Sequence, residues 1–137
     1  LLYKNRRDFD RAERIYRKLL EISPAHPYAY FDLANIYIGE KRFDEALSLC
    51  EKASEVLPDN VDTHHAMGSI YKDTGRYEEA LSEYKKVLAV EPTHRYTLWD
   101  IGVVYEKMGM KDKAEKQFKY YHQMTDCSFR RFWNCFD

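Results

Sequence analysis

Cysteine, glycine and proline are all scarce in this 137-residue chain, at three, five and four residues. So little glycine and proline excludes collagen, a flexible linker and a turn-dense β-sandwich. The cysteines, Cys50, Cys127 and Cys135, are odd in number and form no CxxC pair. They read as free thiols of a reducing compartment and point to the cytoplasm. Charge of one sign is not in excess either, since 22 Lys and Arg stand against 23 Asp and Glu, a net charge of -1. That balance argues against a domain built mainly to neutralise phosphates, so nucleic acid is not an expected partner. No apolar run approaches the roughly 18 to 20 residues of a membrane span. An initiator Met and a signal-peptide cleavage pattern are both missing from Leu1-Leu2-Tyr3-Lys4-Asn5-Arg6-Arg7, and the chain reads as a piece of a longer protein. What is present is 45% hydrophobic and 15% aromatic residues, too many for a disordered chain. A helical, globular chain remains.

An internal repeat organises it. Pro24, Pro58 and Pro92 are 34 residues apart, and so are Ala12, Ala46, Ala80 and Ala114. Tyr3, Tyr37, Tyr71 and Tyr105 keep the same period. One period shared by three residue types in one register means a stack of units, none of which has a sufficient core alone. Each unit holds two amphipathic helices. In 61–94, Met67, Gly68 and Tyr71 share a stripe of the first helix, predicted over Val61 to Thr74. Asp59 and Asn60 precede it as N-caps, and Thr93 holds the corresponding place in the next unit. Gly75 and Gly109 permit the left-handed conformation that ends a helix. The second helix, Tyr77 to Val90, carries Ala80, Leu81, Tyr84, Val87 and Leu88, and Pro92 stops it. Ala34, Gly68 and Gly102 are small residues in one register that let two helices approach closely.

These residues resemble the tetratricopeptide repeat (TPR), with its pattern W-x2-L-G-x2-Y, then A-x3-F, then P. Residues 27–60 supply Tyr30, Leu33, Ala34 and Tyr37, then Ala46, Cys50 and Pro58. Residues 61–94 supply His64, Met67, Gly68 and Tyr71, then Ala80, Tyr84 and Pro92. Residues 95–128 supply Leu98, Ile101, Gly102 and Tyr105, then Ala114 and Phe118, with Asp126 in place of Pro. Tyr30, His64 and Leu98 stand where the family has Trp. Residues 1–26 match the second half of a truncated unit, with the end of one helix at Leu1–Arg7 and another over about Asp8 to Ile22. Residues 129–137, with Phe129, Phe132, Trp133 and Phe136 at helical spacing, read as a capping helix or the start of a further repeat. The resemblance implies an all-α, right-handed superhelical solenoid of helix-turn-helix hairpins that presents a surface to other proteins.

Spacing alone puts Asp62, His65, Ser69 and Lys72 on a face of the first helix turned away from its packing stripe. The resemblance implies that this face lines a concave groove. Carried to the other units, it gives Tyr28, Phe31, Asp32, Asn35 and Ile38, and Tyr96, Trp99, Asp100, Val103 and Glu106. Phe31, His65 and Trp99 are one period apart, and the aspartates add negative charge. A groove for a partner peptide or helix with apolar anchors and basic residues is expected, with Asn35 bonding peptide backbone. The competing reading buries Phe31 and Trp99 between repeats. A carboxylate-gripping clamp known in some TPR domains would fall on Phe31, Asn35, Ala66, Tyr96 and Asp100; only Asn35 fits, and that clamp is not expected.

Enzymatic chemistry is not expected in this chain. His64 and His65 point about 100° apart on a helix and cannot readily share an ion, while His26, His94 and His122 lie in separate units. No HExxH, C-x2-C, phosphate-binding loop or nucleophile elbow occurs, so neither metal nor cofactor is anticipated. Arg130-Arg131 between aromatics lacks a supporting basic groove for nucleic acid. The sequence favours a non-enzymatic scaffold or adaptor. The alternatives are self-assembly into a homo-oligomer through the chain ends and a substrate-recruiting arm of a larger enzyme.

Overall fold

The computed structural model describes residues 6–129, and all regular structure among them is α-helical. The helices are α1 (Arg6–Ile22), α2 (Pro27–Gly39), α3 (Phe43–Val56), α4 (Val61–Asp73), α5 (Tyr77–Val90), α6 (Arg95–Lys107) and α7 (Lys111–Phe129). α1 starts two residues before the expected Asp8. The aromatics Phe132, Trp133 and Phe136 lie outside the described residues, as do Leu1 to Asn5 and the side chain of Phe129.

Local chemistry repeats where the helices start. His26 Nδ1 accepts from the Ala29 N–H at 3.1 Å, Asn60 Oδ1 from the Thr63 N–H at 3.1 Å, and His94 Nδ1 from the Thr97 N–H at 3.3 Å. Each satisfies one of the amides that a helix start leaves without a partner. In the second unit the cap is Asn60 and not Asp59. In the third it is His94, one residue beyond Thr93, because the cap residue must sit three before the amide it receives.

The corners after α2, α4 and α6 all enter the left-handed region. Gly75 and Gly109 have φ of 81° and 78°, and Lys41 holds the same place with φ of 59°. Arg42 and Arg76 then lie over the rings of Tyr37 and Tyr71, at 4.1 and 4.6 Å from their centroids, and each pairs with a glutamate three residues on, Glu45 and Glu79. With Asp126 in place of proline, α7 runs for 19 residues, against 14 for α3 and α5.

Packing follows the period. α2 packs on α3, α4 on α5 and α6 on α7 as antiparallel hairpins, and α1, α3 and α5 each meet the helix that follows. Gly68 is needed where it stands, since a Cβ there would meet the Tyr84 ring at 2.5 Å. Gly102 has the same relation to Phe118, also 2.5 Å. In the first hairpin the two positions are Ala34 and Cys50, both fully buried, a larger residue set with a smaller one. Tyr84 is itself fully buried, and full burial of a ring of that size contributes about 2–3 kcal/mol. The Cys50 thiol, deep in this core, is pushed up to about 12 by burial and is inert as a nucleophile.

The two rows of helices are not equivalent. The backbones of α2 and α4, and of α4 and α6, approach closely, whereas among the described residues no two of α1, α3, α5 and α7 come as near. The row α2, α4, α6 is therefore the short side of the stack, and the inner face of the curve belongs to it.

Candidate functional site

The inner face is built by the side chains of α2, α4 and α6 that are not used in hairpin packing. At its N-terminal end, Tyr28 and Asn35 are exposed while Phe31 and Asp32 are half-buried. Asp32 and Asn35 help line a depression of about 380 Å³, and Asp8, Phe9, Ala12, Tyr16 and Ile36 complete it. Burial, together with the nearby Asp32 charge, raises the Tyr16 hydroxyl above the ordinary tyrosine range.

The middle of the face is an ion-paired floor. Asp62 is exposed, but His65, Lys72 and Asp100 are drawn together across the junction of α4 and α6. The His65 Nε2–H donates to Asp100 Oδ2 at 2.8 Å, and Lys72 Nζ donates to Asp100 Oδ1 at 3.3 Å. Burial pulls the Asp100 carboxyl upward, but the His65 hydrogen bond and the Lys72 charge outweigh it and hold the group below its ordinary value. Asp100 is thus already satisfied within the protein, and the negative charge expected from it is neutralised at source. Ser69 Oγ lies 3.4 Å from the Tyr84 hydroxyl. The His65 ring lies among those of Tyr84, His94 and Tyr96, with centroids 5.7, 5.5 and 6.5 Å away.

At the C-terminal end, Tyr96 is 73% exposed and Trp99 43% exposed, with Val103 half-buried beyond them. Trp99 rests on α7, its ring 4.6 Å from Phe118 and 5.2 Å from Tyr121 between centroids. Arg95, Tyr96, Trp99, Asp100, Tyr121 and His122 enclose a depression of about 530 Å³. Trp99 therefore does two things at once, packing one side against its own hairpin and leaving the rest to solvent.

Two contributions escape the sequence reading. Asp8, Phe9 and Tyr16 from α1 and Tyr121 and His122 from α7 wall the two depressions, although the register assigns both helices to the outer row. The run Tyr120-Tyr121-His122 is the one sequence signal that pointed to the second of these. His64 faces away from the groove altogether, with Nδ1 2.8 Å from Glu83 Oε2 and Nε2 2.6 Å from the Pro58 carbonyl oxygen. Adjacent in sequence, His64 and His65 serve opposite sides of α4. Among the described residues no three His, Cys, Asp or Glu side chains come close enough to hold a metal ion. No described helix is long and apolar enough to cross a membrane.

A profile of the tetratricopeptide repeat matches residues 6–70, and a second, of the TPR repeat, matches residues 68–109. The chain is a tetratricopeptide-repeat protein. Solved structures agree on the TPR solenoid. A crystal structure of MamA superposes with a TM-score of 0.80 at 20% identity, over 93% of this chain and 75% of that one. MamA from Desulfovibrio magneticus RS-1 gives a TM-score of 0.80 at 18% identity, over 87% and 67% of the two chains. MamA AMB-1 gives 0.73 at 25% identity, over 84% and 68%. At such identities the likeness speaks for the fold. No curated protein matches the chain. The TPR fold makes this chain a helical scaffold of the protein-interaction kind.

Proposed function

We propose that this TPR array is a non-enzymatic adaptor that receives a peptide or helix of a partner protein along the inner face of α2, α4 and α6. Tyr28, Phe31, Asp32, Asn35, Asp62, Tyr96, Trp99 and Val103 face the partner in this reading, while His65, Ser69, Lys72 and Asp100 hold the floor beneath it. The carrying observation is the exposure of Tyr96 and Trp99 beside a depression on the inner side of the stack. Large aromatic surface left open to water in a concavity is the usual starting point of an anchor site. The two depressions at opposite ends of the face favour an occupant with an aromatic or aliphatic anchor near α6. Asp8 and Asp32 favour a basic residue near α1.

Selection from a displayed peptide library against the chain, with the Phe31→Ala/Trp99→Ala double variant as counter-screen, tests this. Peptides retained by the parent should bind the variant about tenfold or more weakly, as expected for loss of aromatic anchors, with the variant still folded by circular dichroism. A folded parent that enriches no peptide, or a variant that loses its binding only by unfolding, would refute the groove.

A further inference from the structure

The depression between α6 and α7 differs from its counterpart between α1 and α2 in the sign of its free charge. Asp8 and Asp32 supply the charge of the one at α1, and no basic side chain lines it. Arg95 and Asp100 supply that of the one at α7. Asp100 is already engaged by His65 and Lys72, at 2.8 and 3.3 Å. Arg95 is exposed and takes part in no ion pair among the described residues. Its charge does nothing for the helix it begins, since a cation in the first turn opposes the helix dipole. Beside it stand the rings of Tyr96, Trp99 and Tyr121, the first two open to solvent, and the exposed His122 ring adds a further N–H donor. A guanidinium without a partner, bordering aromatic surface, suits a carboxylate set beside an apolar side chain, because it can give that carboxylate two parallel N–H bonds. A basic guest would meet Arg95 with no free carboxylate to offset it.

We propose that this end of the inner face recognises an acidic residue of the partner, Asp or Glu, next to the aromatic or aliphatic side chain that anchors on Trp99. Arg95 pairs with the carboxylate at the rim, while Tyr96 and Tyr121 flank the anchor. The inference rests on the groove reading above and adds to it the chemistry of one end. With Asp8 and Asp32 at the other end, the face has two poles and sets the direction of a bound segment, its basic part toward α1 and its acidic part toward α7.

Selection from a displayed peptide library, run in parallel on the parent and on Arg95→Glu, tests this. The variant should fold as the parent does, because position 95 is exposed and an acid in a helix's first turn is favoured. Peptides enriched by the parent should carry Asp or Glu beside an aromatic or aliphatic residue more often than the input library does. R95E should lose that enrichment in favour of Lys or Arg. Changing the acidic residue of one such synthetic peptide to its amide should weaken binding to the parent about three- to tenfold and leave binding to R95E unchanged. Acidic enrichment that R95E retains, or an amide peptide that binds the parent equally well, would overturn the pairing and leave the groove standing. A parent that enriches no peptide refutes the groove and this inference with it. Should R95E lose helical circular dichroism, Arg95→Gln takes its place, where loss of the acidic enrichment is expected and its persistence is equally decisive.

Discussion

Lys41 occupies a conformation that its counterparts, Gly75 and Gly109, adopt without steric cost. A residue with a Cβ at positive φ costs about 1–2 kcal/mol, and glycine returns part of that gain as unfolded-state entropy. Lys41→Gly should therefore stabilise the chain by about 0.5–1 kcal/mol, read as a rise in melting temperature; a fall would show that the lysine side chain has a stabilising role. The glycines at 75 and 109 make their corners legible in the sequence. The lysine hides the third corner, because the repeat and not the residue imposes the turn. The capping histidines are concealed in the same way. His26 and His94 lie one period either side of Asn60 and do its work with a ring nitrogen, which only coordinates reveal.

Helices pair through matched substitutions. His64 and Glu83 make a buried side-chain hydrogen bond between α4 and α5, with Lys86 also donating to Glu83 at 2.9 Å. One period on, the same positions are Leu98 and Gln117, and Gln117 Nε2 donates to the Leu98 carbonyl at 3.2 Å. One period earlier they are Tyr30 and Leu49. A buried carboxylate deprived of its partner is costly, whereas exchanging both partners for a compatible pair is not. His64→Leu alone should destabilise by about 2–4 kcal/mol, and the addition of Glu83→Gln should bring the chain back to within about 1 kcal/mol of the parent. Urea unfolding of the four chains of the cycle measures this, and additive losses would refute the pairing. Sequence reading placed His64 in the packing position and stopped there. Its partner was illegible because Glu83 looks like any solvated helix acid, and no motif announces that it is buried.

At the scale of the whole array, charged ties link helices that hydrophobic packing joins less extensively than it joins each hairpin. The Tyr37 hydroxyl donates to Glu13 Oε1 at 2.7 Å, and Arg17 donates to both, fastening α1 to α2. The Tyr37 hydrogen bond, with Arg17 beside it, outweighs burial and holds the Glu13 carboxyl below its usual range. Asp100, tying α4 to α6, is held low as well. A carboxylate with a lowered folded pKa adds stability above its unfolded value, near pH 4, and loses it as pH falls through the folded value. The stability difference between the parent and Glu13→Gln or Asp100→Asn should thus be full at pH 7 and shrink as the solution is acidified below about pH 4. A difference independent of pH would mean that these groups act through packing and not through charge. The period, the hairpins and the aromatic positions of the inner face were legible in the sequence because they recur. The walls given by α1 and α7 were not, because they arise at the two ends of the described stack, where the recurring environment stops.

The paired positions inside each hairpin have one more consequence. Ala34 with Cys50, Gly68 with Tyr84 and Gly102 with Phe118 are three fillings of one volume. A helix moved alone into a neighbouring hairpin would bring a methyl group against a ring, or leave a void beneath a glycine. The natural unit of exchange is accordingly the whole hairpin, with crossover points in the turns that follow α3 and α5. Duplication and recombination can lengthen or reorder such an array there, while a break at the corner after α4 would separate partners suited only to each other.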